Sequence, residues 1–266
     1  MSKTSHPPFE FSTQPLSLPT TIGEGFKLFS YTIGKTWQWS FLFHAIGTLP
    51  SFIRLLFGSA PTQKVLTFTM MEIFTFGFVF LFTISVHVFS LVFLTHRIYN
   101  LAVSPDSKAI ESIKKTQEKW LTTFLASVLF VIAVGIAMSI LIMALIQSSI
   151  LLGFISLGIL TFVSILLVFY WPLILFDNES VLDSLKKSYL LVNQHWWETF
   201  LVLLPAVIIT MILMMFATSI QAPNSIGLIL SMMVISSVTA LLTYSFVLVQ
   251  FNNLKLLKNQ KGLSLK

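Results

Sequence analysis

The stretch that decides the fold runs from Trp171 to Pro205 and reads WPLILFDNESVLDSLKKSYLLVNQHWWETFLVLLP. An apolar segment ends at a short polar turn, an amphipathic segment follows, and paired tryptophans lead into the next apolar segment. At 100° per residue, the apolar side chains of the amphipathic segment fall within roughly 80° of a helix. They are Val181, Leu185, Tyr189, Val192 and Trp196. This pattern predicts a helix at a membrane surface, followed by one that enters the membrane.

The whole chain has the composition of an integral membrane protein. Of its 266 residues, 55% are hydrophobic and 10% are charged, whereas a soluble domain carries about 25% charged residues. So few charges cannot cover a water-exposed surface, and so many apolar residues exclude a disordered chain. The absence of cysteine excludes disulfides and cysteine-ligated metal sites.

Six segments are long enough to cross a bilayer core, which takes about 20 apolar residues of helix. The predicted fold class is therefore an all-α integral membrane protein with six transmembrane helices. The predicted spans are Trp39–Phe57, Ile73–Leu94, Leu121–Ile146, Ile150–Phe176, Phe200–Ile220 and Ile226–Phe251.

The positions of the basic residues predict the orientation. Of the 16 lysines and arginines, all but Arg54 and Lys64 lie in the two terminal segments or in the connections after the second and fourth spans. The positive-inside rule then places both termini in the cytoplasm. Because the basic residues are divided among several segments, the net charge of +6 does not indicate nucleic-acid binding.

The segments that lead into the first, third and fifth spans resemble one another. Each is an amphipathic helix that ends near a tryptophan, which indicates three repeats of one interfacial helix plus a helical hairpin, all in the same orientation. The alternative is that any two amphipathic helices beside a membrane look alike. The predicted organisation is a flexible cytoplasmic tail over 1–20, one membrane domain over 21–252 with units 21–95, 106–178 and 179–252, and a basic cytoplasmic tail over 253–266.

The stretch quoted above is similar to the hallmark of the YciC-like uncharacterised inner-membrane proteins and to the membrane domain of some glycerophosphoryl diester phosphodiesterases. The matching positions are Trp171-Pro172, Asp177-Asn178-Glu179, Ser184-Leu185, Ser188, Leu191-Val192 and Trp196-Trp197. The resemblance implies a multi-pass protein of a bacterial inner membrane. It implies no activity, because the function of that family is not established.

Polar side chains at membrane depth are the candidate functional residues, since they are rare there and often functional. His44 and His87 are expected at similar depth in the first hairpin, either as a proton-linked or substrate-contacting pair or as an interhelical hydrogen bond. Arg54 and Glu72 are expected to meet at the outer end of that hairpin, either as a salt bridge or as a gate or anion contact. The predicted interfacial anchors are Trp37, Trp120, Trp171, Trp196 and Trp197.

These features predict a non-catalytic accessory or scaffold protein of the cell envelope. Its amphipathic helices are expected to contact the lipid bilayer, including anionic headgroups at the cytoplasmic face, and a membrane protein partner. The alternative is a small transporter or lipid-handling permease that uses His44 and His87. No nucleotide-binding, zinc-protease or nucleophile motif occurs, so no catalytic residue, cofactor or metal is predicted.

Overall fold

A computed structural model describes residues 9–57, 70–146, 150–220 and 226–260 of the chain. These residues form helices and no strand, which confirms the all-α class. The helices are α1 Leu18–Phe57, α2 Met70–Val103, α3 Ala109–Ile146, α4 Ile150–Leu166, α5 Tyr170–Phe176, α6 Val181–Val192, a 3-10 turn at Asn193–His195, α7 Trp196–Ile220 and α8 Ile226–Gln260.

Five helical stretches within the described residues are long and apolar enough to cross a membrane. They are Gly77–Val103, Ala109–Ile136, Gly153–Phe176, Val181–Ser219 and Ile226–Gln260. The predicted first span, Trp39–Phe57, lies in α1 and is not among them. By length and composition these helices fit a membrane protein, and a count of six spans stays a prediction.

The six long helices form a bundle in which sequence neighbours pack together. Helix α2 packs between α1 and α3, α4 packs on α3, and α8 packs on both α7 and α1. The short helix α5 is buried from Tyr170 to Leu175 and contacts α2, α3 and α6. The chain thus folds so that its first and last long helices lie side by side.

The buried core lies toward one end of this bundle, where residues 9–17 and the last turns of α8 also lie. Leu28, Phe93, Phe169, Phe246 and Leu248 are almost wholly buried there. The other halves of the helices expose large apolar side chains, as expected for a surface against lipid tails. Examples are Phe74, Phe78, Ile136, Leu151, Met215 and Phe216.

The predicted fourth span is found as a membrane-crossing stretch over Gly153–Phe176, but its helix is interrupted. Helix α4 ends at Leu166 and α5 begins at Tyr170. Pro172 explains the position of the break, because proline has no N–H to donate to the carbonyl four residues earlier and its ring clashes with it. The break turns α5 into the interior of the bundle.

The amphipathic segments of the first two units run into their spans without a break. Helix α1 is continuous past Trp37 and α3 past Trp120, so the predicted turn at a tryptophan is wrong at both positions. A turn occurs in the third unit alone, where Asn193–His195 forms a 3-10 turn before Trp196. The second unit is shorter than the third by four residues, about one helical turn. Its matching residues therefore stay near the same face of the helix.

The described parts of both predicted tails contain packed or helical structure. Residues 9–17 pack against the end of α8, where the N–H of Leu16 donates to Asn253 Oδ1 at 2.8 Å and Asn252 Nδ2 donates to the Ser12 carbonyl at 3.0 Å. Helix α1 begins at Leu18, inside the expected flexible tail. Helix α8 continues to Gln260, well into the predicted C-terminal tail, and residues 1–8 lie outside the described part.

Candidate functional site

The rings of His44 on α1 and His87 on α2 lie side by side, as the sequence predicts. The ring centroids of His44 and His87 lie 6.0 Å apart, with the rings nearly perpendicular at 78°. His87 packs over Gly47, where a Cβ would lie 3.2 Å from its Cε1 atom. The absence of a side chain at Gly47 therefore leaves room for the second imidazole.

Each imidazole makes its recorded hydrogen bond within its own helix. The Nδ1 atom of His44 lies 2.8 Å from the Ser40 carbonyl, and that of His87 lies 2.8 Å from the Thr83 carbonyl. A carbonyl accepts only, so Nδ1 is the protonated nitrogen of each ring, and Nε2 of a neutral ring is an acceptor. The pair is therefore assembled by helix packing. A proton-linked or substrate-contacting role stays a prediction.

The predicted meeting of Arg54 and Glu72 falls outside the described side chains. Arg54 belongs to the last turn of α1 and Glu72 to the first turn of α2. Their proposed salt bridge stays a prediction.

The predicted tryptophan anchors divide into three kinds. Trp37 and Trp197 are exposed, as an interfacial anchor requires. Trp120 and Trp196 are half-buried and each reaches a neighbouring helix. Trp171 is only 8% exposed and lies in the core, so its assignment as an interfacial anchor is wrong. The break before α5 is the reason, because it carries Trp171 inward beside Tyr170 and Tyr244.

Trp120 and Trp196 make matching contacts in the second and third units. The indole Nε1 of Trp120 donates to the Ser85 carbonyl of α2 at 3.4 Å, and that of Trp196 donates to the Phe162 carbonyl of α4 at 3.3 Å. Each ring also stacks on the phenylalanine four residues later, at 5.6 Å for Phe124 and 5.3 Å for Phe200. Trp120 thus joins α3 to α2, and Trp196 joins the start of α7 to α4.

The polar turn between α5 and α6 is closed by ion pairs. Asp177 accepts from Lys255 Nζ at 2.6 Å, and Glu179 accepts from Lys187 Nζ at 2.7 Å. Asn178 has a positive φ of 56°, a conformation that asparagine tolerates better than most residues. Both carboxylates are thus paired with lysines, and these ion pairs stabilise the turn.

Helix α6 buries its serines and exposes much of its apolar surface. Ser184, Ser188, Leu191 and Val192 are its buried residues. The opposite face carries Leu182, 70% exposed, together with exposed Tyr189, Leu190 and Lys186. The apolar stripe predicted from the sequence lies at the boundary of these two faces. Exposed leucines beside a lysine form a surface suited to the edge of a bilayer.

Two residues with structural roles escaped the sequence analysis. Arg97 is buried, and its Nη1 donates to the Ser107 carbonyl at 2.6 Å and to the Ser107 hydroxyl at 3.1 Å, which ties the α2–α3 loop to α2. Ser188 bridges the break between α4 and α5. Its hydroxyl donates to the Leu166 carbonyl at 2.9 Å and accepts the Phe169 N–H at 3.1 Å. The sequence identifies Ser188 only as a motif position, because its partners lie about 20 residues earlier in the chain.

The fold and these surfaces define a multi-pass helical membrane protein. Comparison with protein-family models, with characterised proteins and with solved structures finds no match. Within the described ranges, no group of three or more histidine and acidic side chains is arranged to hold a metal ion.

Proposed function

We propose that this chain is a multi-pass protein of a bacterial inner membrane that acts as a non-catalytic accessory or scaffold. Its cytoplasmic end contacts the lipid surface, and a membrane protein partner is the other expected contact. The observation that carries the proposal is the face of α6 that exposes Leu182 and Leu190 beside Lys186. Apolar side chains there enter the headgroup boundary, and the lysine favours anionic lipid.

The proposal includes six spans arranged as three parallel repeats with both termini in the cytoplasm. The matching hydrogen bonds of Trp120 and Trp196 support repetition, because equivalent residues join equivalent helices in two units. The closeness of the N-terminal segment to the end of α8 supports an even number of spans. The basic residues support the cytoplasmic side.

The family relationship is part of the proposal. The motif that resembles the YciC-like proteins has a structural explanation, since Ser184, Ser188, Leu191 and Val192 form the buried face of α6. The Ser188 hydroxyl also pairs with backbone groups on both sides of the helix break before Pro172. Pro172 is another residue of the motif. Because these motif residues support one another structurally, their presence favours a local fold shared with the YciC-like proteins.

Spin labels measure the lipid contact directly, because the chain has no cysteine and single cysteines can be labelled without background. A nitroxide at Leu182→Cys in a reconstituted bilayer is expected to collide more with oxygen, which concentrates in lipid, than with a water-soluble nickel complex. The matched control is Ser30→Cys on the exposed, polar side of α1, where the nickel complex is expected to dominate. Equal nickel accessibility at both sites would contradict the proposal.

A small transporter is the second proposed function, and the meeting of His44 and His87 favours it. A His44→Ala/His87→Ala variant separates the two proposals. Substrate flux in proteoliposomes that depends on both imidazoles would support the transporter against the scaffold.

A further inference from the structure

A groove opens on the bundle surface where α4 faces the 3-10 turn and the start of α7. Its volume is approximately 450 Å³, and it is lined by Gly158, Phe162, Asn193, Gln194, His195, Trp196, Trp197 and Glu198. A Cβ added at Gly158 would meet nothing within 4 Å, so the floor of the groove is open at this point. The groove has the dimensions of a small-ligand site.

The groove carries a fixed carboxylate and no lysine or arginine among its lining residues. Glu198 Oε2 lies 3.0 Å from His195 Nδ1, and the Glu198 side chain is still 53% exposed. The hydrogen bond holds the carboxylate in place while leaving it accessible. The carboxylate attracts a cation and repels an anion.

An exposed indole lines the same groove as that carboxylate. Trp197 is 69% exposed, and its ring stands at 86° to the ring of Trp196, with the centroids 4.7 Å apart. Trp196 itself stacks on Phe200 at 5.3 Å. An accessible indole and a carboxylate that line one groove can together bind an ammonium group, through cation–π attraction and charge.

The surface beyond the groove is apolar. Along α4, the exposed residues Ile155, Phe154 and Leu151 continue from Gly158 toward the far end of the helix. Asn193 and Gln194 are exposed at the opposite side of the groove, and their amide groups can donate hydrogen bonds. The groove therefore offers a carboxylate for an ammonium, amides for a phosphate and an apolar track for an acyl chain.

We propose that this groove binds one phospholipid with an ammonium headgroup, of the phosphatidylethanolamine type, from the cytoplasmic leaflet. The ammonium lies between Glu198 and the face of Trp197, and the acyl chains follow α4. The inference deepens the proposed function and rests on it only in placing this end of the bundle in that leaflet.

Two glycines of α4 provide a matched test of the groove. Gly153 and Gly158 both have open space around an added Cβ, and of these two Gly158 alone lines the groove. The protein is taken from nanodiscs that contain equal phosphatidylethanolamine and phosphatidylglycerol, and its bound lipids are counted by native mass spectrometry. Gly158→Leu is expected to reduce retained phosphatidylethanolamine about tenfold, whereas Gly153→Leu is expected to retain it.

Two carboxylates test the headgroup preference. Glu198→Gln is expected to keep a lipid in the groove but to lose the preference for phosphatidylethanolamine over phosphatidylglycerol. Glu118→Gln is the control, because Glu118 is also exposed and paired with a base three residues away, Lys115, on another helix. Equal retention in Gly158→Leu and Gly153→Leu, or equal preference in the two glutamine variants, would overturn the site. Neither result bears on the Leu182 label, whose exposure to water would contradict the proposed function instead.

Discussion

Ser188 shows how one hydroxyl can hold a broken helix together. The break between Leu166 and Tyr170 leaves backbone groups without helical partners in a buried place, where an unpaired group is costly. The Ser188 hydroxyl serves a carbonyl on one side of the break and the N–H of Phe169 on the other. Serine is suited to this role because a hydroxyl both donates and accepts.

Ser188→Ala is expected to lower the free energy of unfolding by about 1–3 kcal/mol, because it leaves a buried N–H and a buried carbonyl unpaired. Thermal unfolding in detergent measures the loss. Ser139→Ala is the control, since that exposed serine bonds only to the Gly135 carbonyl of its own helix and is expected to change stability by less than about 0.5 kcal/mol. Equal losses in both variants would show that Ser188 has no special role.

A sequence predicts a contact between two side chains well when a single helical hairpin determines that contact. His44 and His87 were expected at equal depth because an antiparallel hairpin places them there, and the rings do meet. Trp171 was misplaced because its position depends on the break before α5, whose partner Ser188 belongs to the following helix. Local periodicity carries no information about such a partner.

The packing of α1 on α8 depends on small side chains at single-turn intervals. Helix α1 buries one continuous face against α8, and Gly25 lies on it beneath the ring of Phe246. Farther along, the Ser40 hydroxyl donates to the Ser237 carbonyl at 2.8 Å. Small residues let membrane helices approach closely, and neighbouring backbones then replace lipid as the packing surface. The buried small or polar residues of this face are Thr21, Gly25, Thr32, Thr36 and Ser40.

Gly25→Val is expected to destabilise the protein by about 1–3 kcal/mol, because a Cβ at this position would lie 3.0 Å from the Phe246 ring and the added methyl groups overpack the contact. Gly23→Val is the matched control on the same helix. A Cβ there meets nothing within 4 Å, so the two variants share the helix propensity of valine and differ in the contact. Unfolding in detergent compares them, and equal stability would contradict close packing at Gly25.

The elements were predictable where apolar runs are long, and less so where helices join. The apolar runs account for α2, α3, α7 and α8, which are all present as helices. The amphipathic segment of α1 is predicted at the membrane surface, but its buried face is mostly threonine, glycine and serine, with Leu28 as its large apolar residue, rather than a hydrophobic stripe. A helix face of this composition has neither a hydrophobic stripe nor a pair of glycines one turn apart, so the sequence pattern does not reveal it.

The whole molecule separates its core from its lipid-facing surface along the bundle. The end that carries most of the basic residues also contains the buried side chains and the polar contacts of the N-terminal segment. The opposite end exposes phenylalanine, isoleucine and methionine. Because lipid tails give no hydrophobic driving force between helices, side-chain packing at the charged end is expected to contribute most of the specificity of the fold.

The number of spans decides whether the two termini share a side of the membrane. Six spans place Thr13 and Gln260, both exposed, on the cytoplasmic side, whereas the five spans found among the described helices would place them on opposite sides. We expect a membrane-impermeant maleimide to label Thr13→Cys and Gln260→Cys only after permeabilisation, because the flanking basic residues favour the cytoplasm. Pro223→Cys, between α7 and α8, is the positive control and is expected to react in intact cells.

Labelling of one terminal cysteine and not the other in intact cells would establish an odd number of spans. That result would also remove the three-hairpin repeat, because each unit of the repeat must return the chain to the side from which it started.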